Sequence, residues 1–201
     1  MAAKLRKYFD AHVLNICPNQ FSETYLREIK EVAGKIYSKN PQRAKIQITN
    51  TGNDSPPGVF SWYVFSKPYT GISAQLECQR QNTWWNSKMF HKRFVISVCA
   101  AVFVSFAFWF LMLNNILYTF LCSAGLITKI VDRVIENKKY ISLSIQIDGA
   151  QQTVEAHPTK EGIEFLQSLI DERRSVNVLE LNLVHKKLAN LFSKEYEDCV
   201  L

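Results

Sequence analysis

Between Phe94 and Thr128 the chain carries no Asp, Glu, Lys, Arg or His, a run of 35 residues. Few architectures accept such a run. A helical membrane span needs about 20 mostly apolar residues, and the core helix of a water-soluble protein seldom goes further without a charge. The run is therefore read as a membrane segment. As one straight helix it would reach about 53 Å at 1.5 Å per residue, against a hydrocarbon core of about 30 Å. A turn near its middle resolves the excess. Phe94–Leu113 makes one span, and Ile116 onward makes a second that gains its length by continuing through Lys129 toward Ile135. Asn114 and Asn115 form the turn between them, because asparagine tolerates left-handed backbone and caps helices.

The flanking charge agrees. Lys88, Lys92 and Arg93 precede the first span, and Lys129, Arg133, Lys138 and Lys139 follow the start of the second. Basic flanks prefer the cytoplasmic side, which a hairpin grants to both and a single span to only one. The expectation is a multi-pass protein of the cell membrane with both termini cytoplasmic. The alternative is one span ending at Leu113, followed by a helix lying in the interface. Ser97, Ala101 and Ser105 recur every four residues on the first span, and Thr119 and Ser123 repeat that spacing on the second. Small residues let membrane helices approach closely, so these five are expected either to pack the hairpin or to form an oligomer seam or pore lining. With no ionisable group in the run, a proton relay inside it is not expected.

Charge elsewhere is lopsided. Residues 1–93 hold 14 Lys and Arg against 6 Asp and Glu, whereas residues 129–201 hold 10 against 12. A basic half beside a membrane segment suits anionic headgroups or plain solvation, and no nucleic-acid module is present, so the lipid bilayer is the expected partner and DNA or RNA is not. The five cysteines are odd in number and lack CxxC spacing, which suits a reducing compartment rather than a disulfide framework. Cys199 is third from the end, not fourth as a prenylation box requires. His12, His91, His157 and His185 show no metal-ligand spacing. Cys78 and His91 lie about 20 Å apart along a helix, too far to act as nucleophile and base. No glycine-rich phosphate loop occurs. No catalytic residue, metal site or cofactor is expected, and the chain is not read as an enzyme.

Four regions follow: an N-terminal cytosolic segment (1–67), a juxtamembrane helix (68–93), a transmembrane helical hairpin (94–131) and a C-terminal cytosolic segment (132–201). Ser22 is expected to cap a helix that carries Leu26, Ile29, Val32, Ala33 and Ile36 on one face and stops by Pro41. "AKIQIT" (44–49) reads as a short strand and "TGNDSPPG" (51–58) as a loop. The juxtamembrane helix presents Gln75, Gln79, Asn82 and Asn86 at 4-3-4 spacing, an amide stripe on one face. The stripe suits contact with a signal or a partner, because amides can hydrogen-bond bases or one another; the alternatives are solvation or packing within the chain. Trp84 and Trp85 fit either a membrane-interface belt or packing against the protein's own cytosolic part. Beyond the membrane, Ile141, Leu143, Ile145 and Ile147 alternate, and Asp148-Gly149 signals a turn, so a small β-hairpin is expected with "QQTVEA" returning. Thr159 should cap a helix bearing Ile163, Leu166, Leu169 and Ile170, and a last helix fits Val178, Leu181, His185, Leu188 and Phe192. The fold class is a mainly α membrane protein: one transmembrane helical hairpin flanked by cytosolic helical segments, with a small β-hairpin after the membrane segment.

Three stretches resemble a known family. "CQRQNTWWNS" (78–87), directly before the apolar run, is similar to the juxtamembrane signature of the SMODS-associating four-transmembrane effectors. "KLRKYFDAHVLNI" (4–16) resembles that family's cytosolic start after its first helix pair, and "LQSLIDERRS" (166–175) its C-terminal cytosolic helix. Against the family pattern the first two spans are lacking, with Met1 in their place, so a shortened member or a fragment is expected. The resemblance implies a pore-forming effector of bacterial antiphage defence, associated with a nucleotidyltransferase system whose cyclic oligonucleotide signal triggers disruption of the inner membrane, and a homo-oligomer. A membrane-anchored adaptor without pore activity is the rival expectation.

Overall fold

The computed structural model describes residues 2–51, 54–56, 58–60, 63–65, 67–112, 116–176, 191, 192, 195, 196 and 198, with the backbone alone over most of 108–126. It is mostly helical. Helices α1 (Ala2–Val13), α2 (Glu23–Lys39), α3 (Pro41–Thr49), α4 (Gly71–Met112), α5 (Ile116–Ala156) and α6 (Lys160–Ser175) follow one another along the chain. Among the described residues no strand forms, only an isolated bridge between Thr51 and Phe60.

The helix ends follow local chemistry. Ser22 takes extended backbone and its hydroxyl accepts the Tyr25 N–H at 3.2 Å, which satisfies one of the donors orphaned at the start of α2. Asn40 closes α2 and, through its side chain, accepts the Arg43 N–H at 3.0 Å to open α3, with Pro41 where a missing N–H does no harm. Residues 44–49 therefore lie in α3 and not in a strand. The cap and proline nucleate a helix that the short alternation of Ile46 and Ile48 could not outweigh. Thr159 caps α6 in the same way, its hydroxyl accepting the Gly162 N–H at 3.1 Å.

The expected β-hairpin is also overturned, since α5 runs unbroken through 141–154. Leu143, Ile147, Ala150 and Val154 are buried, while Ile141 and Ile145 are exposed. The burial pattern has a 4-3-4 period, that of one helix face, so two of the four alternating residues, Ile141 and Ile145, face away from the core. Asp148-Gly149 lies inside the helix, because the stripe before it continues in phase after it.

That stripe is half of the core. It meets Ile163, Leu166, Leu169 and Ile170 of α6, and Leu14, Ile16, Leu76 and Cys78 complete the cluster from the α1 end and from α4. Helices α5 and α6 run antiparallel, with Lys139 3.0 Å from Glu172 at one end and the Arg173 guanidinium 5.6 Å from the centre of the Tyr140 ring. Helices α4 and α5 are antiparallel as well. Arg80 reaches Glu155 at 3.3 Å, Gln151 donates to Thr83 at 2.7 Å, and the rings of Phe90 and Tyr140 stack at 4.1 Å. Helix α1 joins through a buried ion pair, Arg174 to Asp10 at 2.6 Å.

Beyond Arg93, α4 leaves this body. The stretch Gly71–Ala107 is, among the described residues, the one helix long and apolar enough to cross a membrane, and 6% of its most apolar window is buried. Val102, Phe103, Phe106 and Phe110 are all exposed.

Candidate functional site

The expected amide stripe lies on α4 as one face, but its four members have two different fates. Gln75 donates to the Leu14 carbonyl at 2.7 Å and ties α4 to the chain leaving α1. Gln79 is completely buried, and its amide N–H donates to the Gln167 side-chain oxygen. Gln167 in turn donates to Asp171 at 3.0 Å. This lower half of the stripe is internal wiring between α4 and α6. The pairing is partial, because the Gln79 Oε1 is buried with no partner among the described residues, at a cost of roughly 1–3 kcal/mol.

The upper half differs. Asn82 donates to the Tyr63 hydroxyl at 3.0 Å, and Asn86 donates to the Asn82 carbonyl one turn below at 2.7 Å. Both line a cavity of about 300 Å³. Arg6 and Asp10 of α1, Arg93 of α4 and Arg174 of α6 also line it, with Tyr63 and Trp85 among its walls. Three arginines thus line this space against one acidic residue, Asp10.

The three arginines come from three different helices, and only Arg174 lies at a helix end. Arg6 sits on α1 one turn before Asp10. Arg174 is in the last turn of α6, where cations are favoured, and its side chain is 9% exposed. One of its Nη groups is held by Asp10, and Asp171 lies 3.6 Å away. The Nε atoms of Arg93 and Arg174 are both buried with no hydrogen-bond partner among the described residues. Most buried polar groups in folded proteins are paired, so two orphaned guanidinium donors at one cavity are unusual.

Burial sets the acid–base state here. It pushes the Tyr63 phenol up to about 12, against a smaller opposing effect of the Asn82 hydrogen bond, so the hydroxyl keeps its proton at neutral pH. Burial also holds Asp171 above the usual carboxylate range, although Arg174, Gln167 and Lys7 all pull the other way. Cys78 is pushed up to about 11 by burial, which keeps it a thiol with little nucleophilic character. Among the described residues no three His, Cys, Asp or Glu side chains are grouped to hold a metal ion.

Trp84 and Trp85 pack edge-on against Phe192, with ring centres 6.5 and 5.9 Å apart, and Trp84 meets Tyr196 at 5.1 Å. Of the two readings open for this pair, packing within the chain is the one formed. Phe192 is thus the described residue of the expected last helix that finds a role; Val178, Leu181, His185 and Leu188 lie outside the described residues. Of the small residues on the first span, Ser97 is half-buried, while Ala101 and Ser105 are exposed. The side chains of Thr119 and Ser123, and the turn residues Asn114 and Asn115, lie outside the described residues.

The structure adds Arg6, Arg93 and Arg174, which sequence reasoning did not single out as a site. Arg93 entered it only as a topology signal, and nothing in the local sequence joins three arginines so far apart. No protein-family model, curated protein or solved structure matches the chain.

Proposed function

We propose that this chain is a non-enzymatic effector of the bacterial inner membrane, one that forms a pore when a cyclic oligonucleotide signal of antiphage defence reaches its cytosolic body. The observation that carries the membrane part is the surface of α4 above Arg93, charge-free and apolar on all sides. A helix apolar all round needs either a protein core or lipid, and no core covers this one among the described residues. In this reading α4 and α5 cross the bilayer as a hairpin and leave both termini in the cytoplasm. The antiparallel contacts from Arg80–Glu155 up to Phe90–Tyr140 support it, since they deliver the two helices side by side to the membrane boundary. The signal part rests on the resemblance of residues 4–16, 78–87 and 166–175, and Asn82 and Asn86 are the amides placed to meet a ligand.

Opening is a population shift: the signal favours the open assembly only by binding it better than the closed one. Homo-oligomers supply the pore walls, with Ala101 and Ser105 available for contact between copies. Liposomes carrying the purified chain and a trapped dye test this, with a panel of cyclic oligonucleotides added outside. Signal-dependent release is the expected result, lost in Asn82→Leu while membrane insertion persists. An inserted chain that never releases dye, with any of the panel, would make it the passive anchored adaptor instead. Reporter fusions at residues 1 and 201 check the topology, and opposite sides would remove the hairpin.

A further inference from the structure

The cavity between α1, α4 and α6 has a chemistry and a position that together narrow what it can hold. Its lining brings Arg6, Arg93 and Arg174 together around about 300 Å³, with Asn82 and Asn86 beside them. Two of the arginines keep a buried Nε without a partner among the described residues. Arg174 is nine-tenths buried, its position fixed by Asp10 at 2.6 Å through one Nη, so its unpaired Nε is held in place rather than floppy. Fork-shaped guanidinium donors of this kind match the oxygens of phosphate, which they grip at two points. Trp85 and Met89 give the same cavity an apolar wall.

Position adds the second constraint. Arg93 is the last charged residue before Phe94, so the cavity sits at the level where the polar body ends and the apolar surface of α4 starts. In volume it lies at the small end of ligand pockets, which run from about 300 to 1,000 Å³. A phosphate ester of glycerol or of one nucleoside fits within it, whereas a whole cyclic oligonucleotide would have to extend outside.

We propose that this cavity is a phosphate-ester site in which Arg93 and Arg174 grip the phosphate, Arg6 adds charge, and Asn82 and Asn86 contact the attached group. Such a phosphate can come from an anionic lipid headgroup of the adjoining leaflet or from a soluble phosphate ester. The proposal deepens the signal-sensing reading above and rests on it for the membrane level of Arg93. Its test is binding rather than leakage, so the two can fail separately.

The full chain in detergent is titrated with dioleoylphosphatidylglycerol, with phosphate-free dioleoylglycerol, and with the soluble esters glycerol 3-phosphate and adenosine monophosphate, followed by thermal shift and native mass spectrometry. A rise in Tm with the phospholipid but not with dioleoylglycerol assigns the lipid source, and a rise with a soluble ester assigns the soluble one. Either supports the site. Arg93→Gln should weaken the effective probe at least tenfold, and Lys92→Gln, which removes the neighbouring exposed charge, should leave it unchanged. If Arg93→Gln does not fold, Arg93→Lys carries the test, because it keeps the charge and loses the fork; a several-fold loss is then expected. No shift with any phosphate probe, equal shifts with dioleoylglycerol, or equal responses of Arg93 and Lys92 variants would overturn the site. Binding without dye release would leave this site standing and remove the pore.

Discussion

Helix α4 above Arg93 and helix α5 below Lys139 are both rich in aliphatic and aromatic residues, yet they use them in opposite ways. In α5, Leu143, Ile147, Ala150 and Val154 form one buried stripe, and Ile145 on the far side is exposed to solvent. In α4, Phe94, Val95, Ile96 and Val104 point to four different sides of the helix axis, and none is buried. A stripe builds a core against another helix; a mantle needs an apolar surround on every side. Hydrophobic content alone does not separate the two, but angular distribution does.

The largest test of that contrast is to shorten one residue of each kind. Ile147 has no exposed surface, and Ile147→Ala should destabilise the helical body by about 2–5 kcal/mol through lost burial and a cavity. Val102 is 64% exposed, and Val102→Ala should change the same stability by no more than about 0.5 kcal/mol. Unfolding of both variants in mild detergent compares them directly, and similar losses would erase the distinction. A charge sharpens it from the other side. Phe103→Asp should weaken insertion by about 2.5–3.5 kcal/mol if that position lies near the bilayer centre, and carbonate extraction of membranes reads the effect. Full retention in the membrane fraction would argue that the mantle does not face lipid.

A smaller effect tests whether 141–154 is helical in solution. A Cβ on Gly149 would meet nothing within 4 Å, so Gly149→Ala should stabilise the body by about 0.5–1 kcal/mol. Gly162 would place its Cβ 3.0 Å from both the Thr159 hydroxyl and Val154, and Gly162→Ala should fall short of that gain because the cap must give way. A loss at Gly149, as a hairpin turn would produce, would restore the strand reading. The smallest effect is electrostatic. Because the folded state holds Asp171 above the usual carboxylate range, its contribution is fully present below about pH 4 and is lost as pH rises through the raised value. Asp171→Asn should therefore flatten the fall in stability with rising pH on the acid side, measured by denaturant titration at each pH. An unchanged slope would mean that burial is not what governs this group.

Some of this was legible in the sequence because it is local. Ser22 and Thr159 cap where their side chains reach the next turn, and the charge-free run needs no structure to be seen. The strand expectation failed because Ile141, Leu143, Ile145 and Ile147 satisfy a period of two over a window too short to exclude 3.6. Carrying the window on to Ala150 and Val154 would have separated them. The amide stripe was visible as spacing, but the division between Gln79 and Asn82 depends on what α6 and the 63–65 segment bring to either side. The arginine cavity is less legible still. Residues 6, 93 and 174 meet only through the packing of α1, α4 and α6, and no spacing rule spans such separations.

Helix α4 contains no glycine or proline between Ile72 and Met112, so nothing in it marks a hinge where the body gives way to the apolar segment. It behaves as a lever pivoted at Arg93, with the cavity-lining stretch from Asn82 on one arm and the apolar stretch beyond Arg93 on the other. From Arg93 to Met112 the apolar arm measures about 28 Å, and a tilt of about 10° about the Arg93 level would sweep its tip through about 5 Å. A movement of that size is comparable to the width of a helical ridge, enough to change which residues of neighbouring helices interlock. A rod of this kind turns a small adjustment around Arg93 into a large displacement at its far end without any change in its own secondary structure.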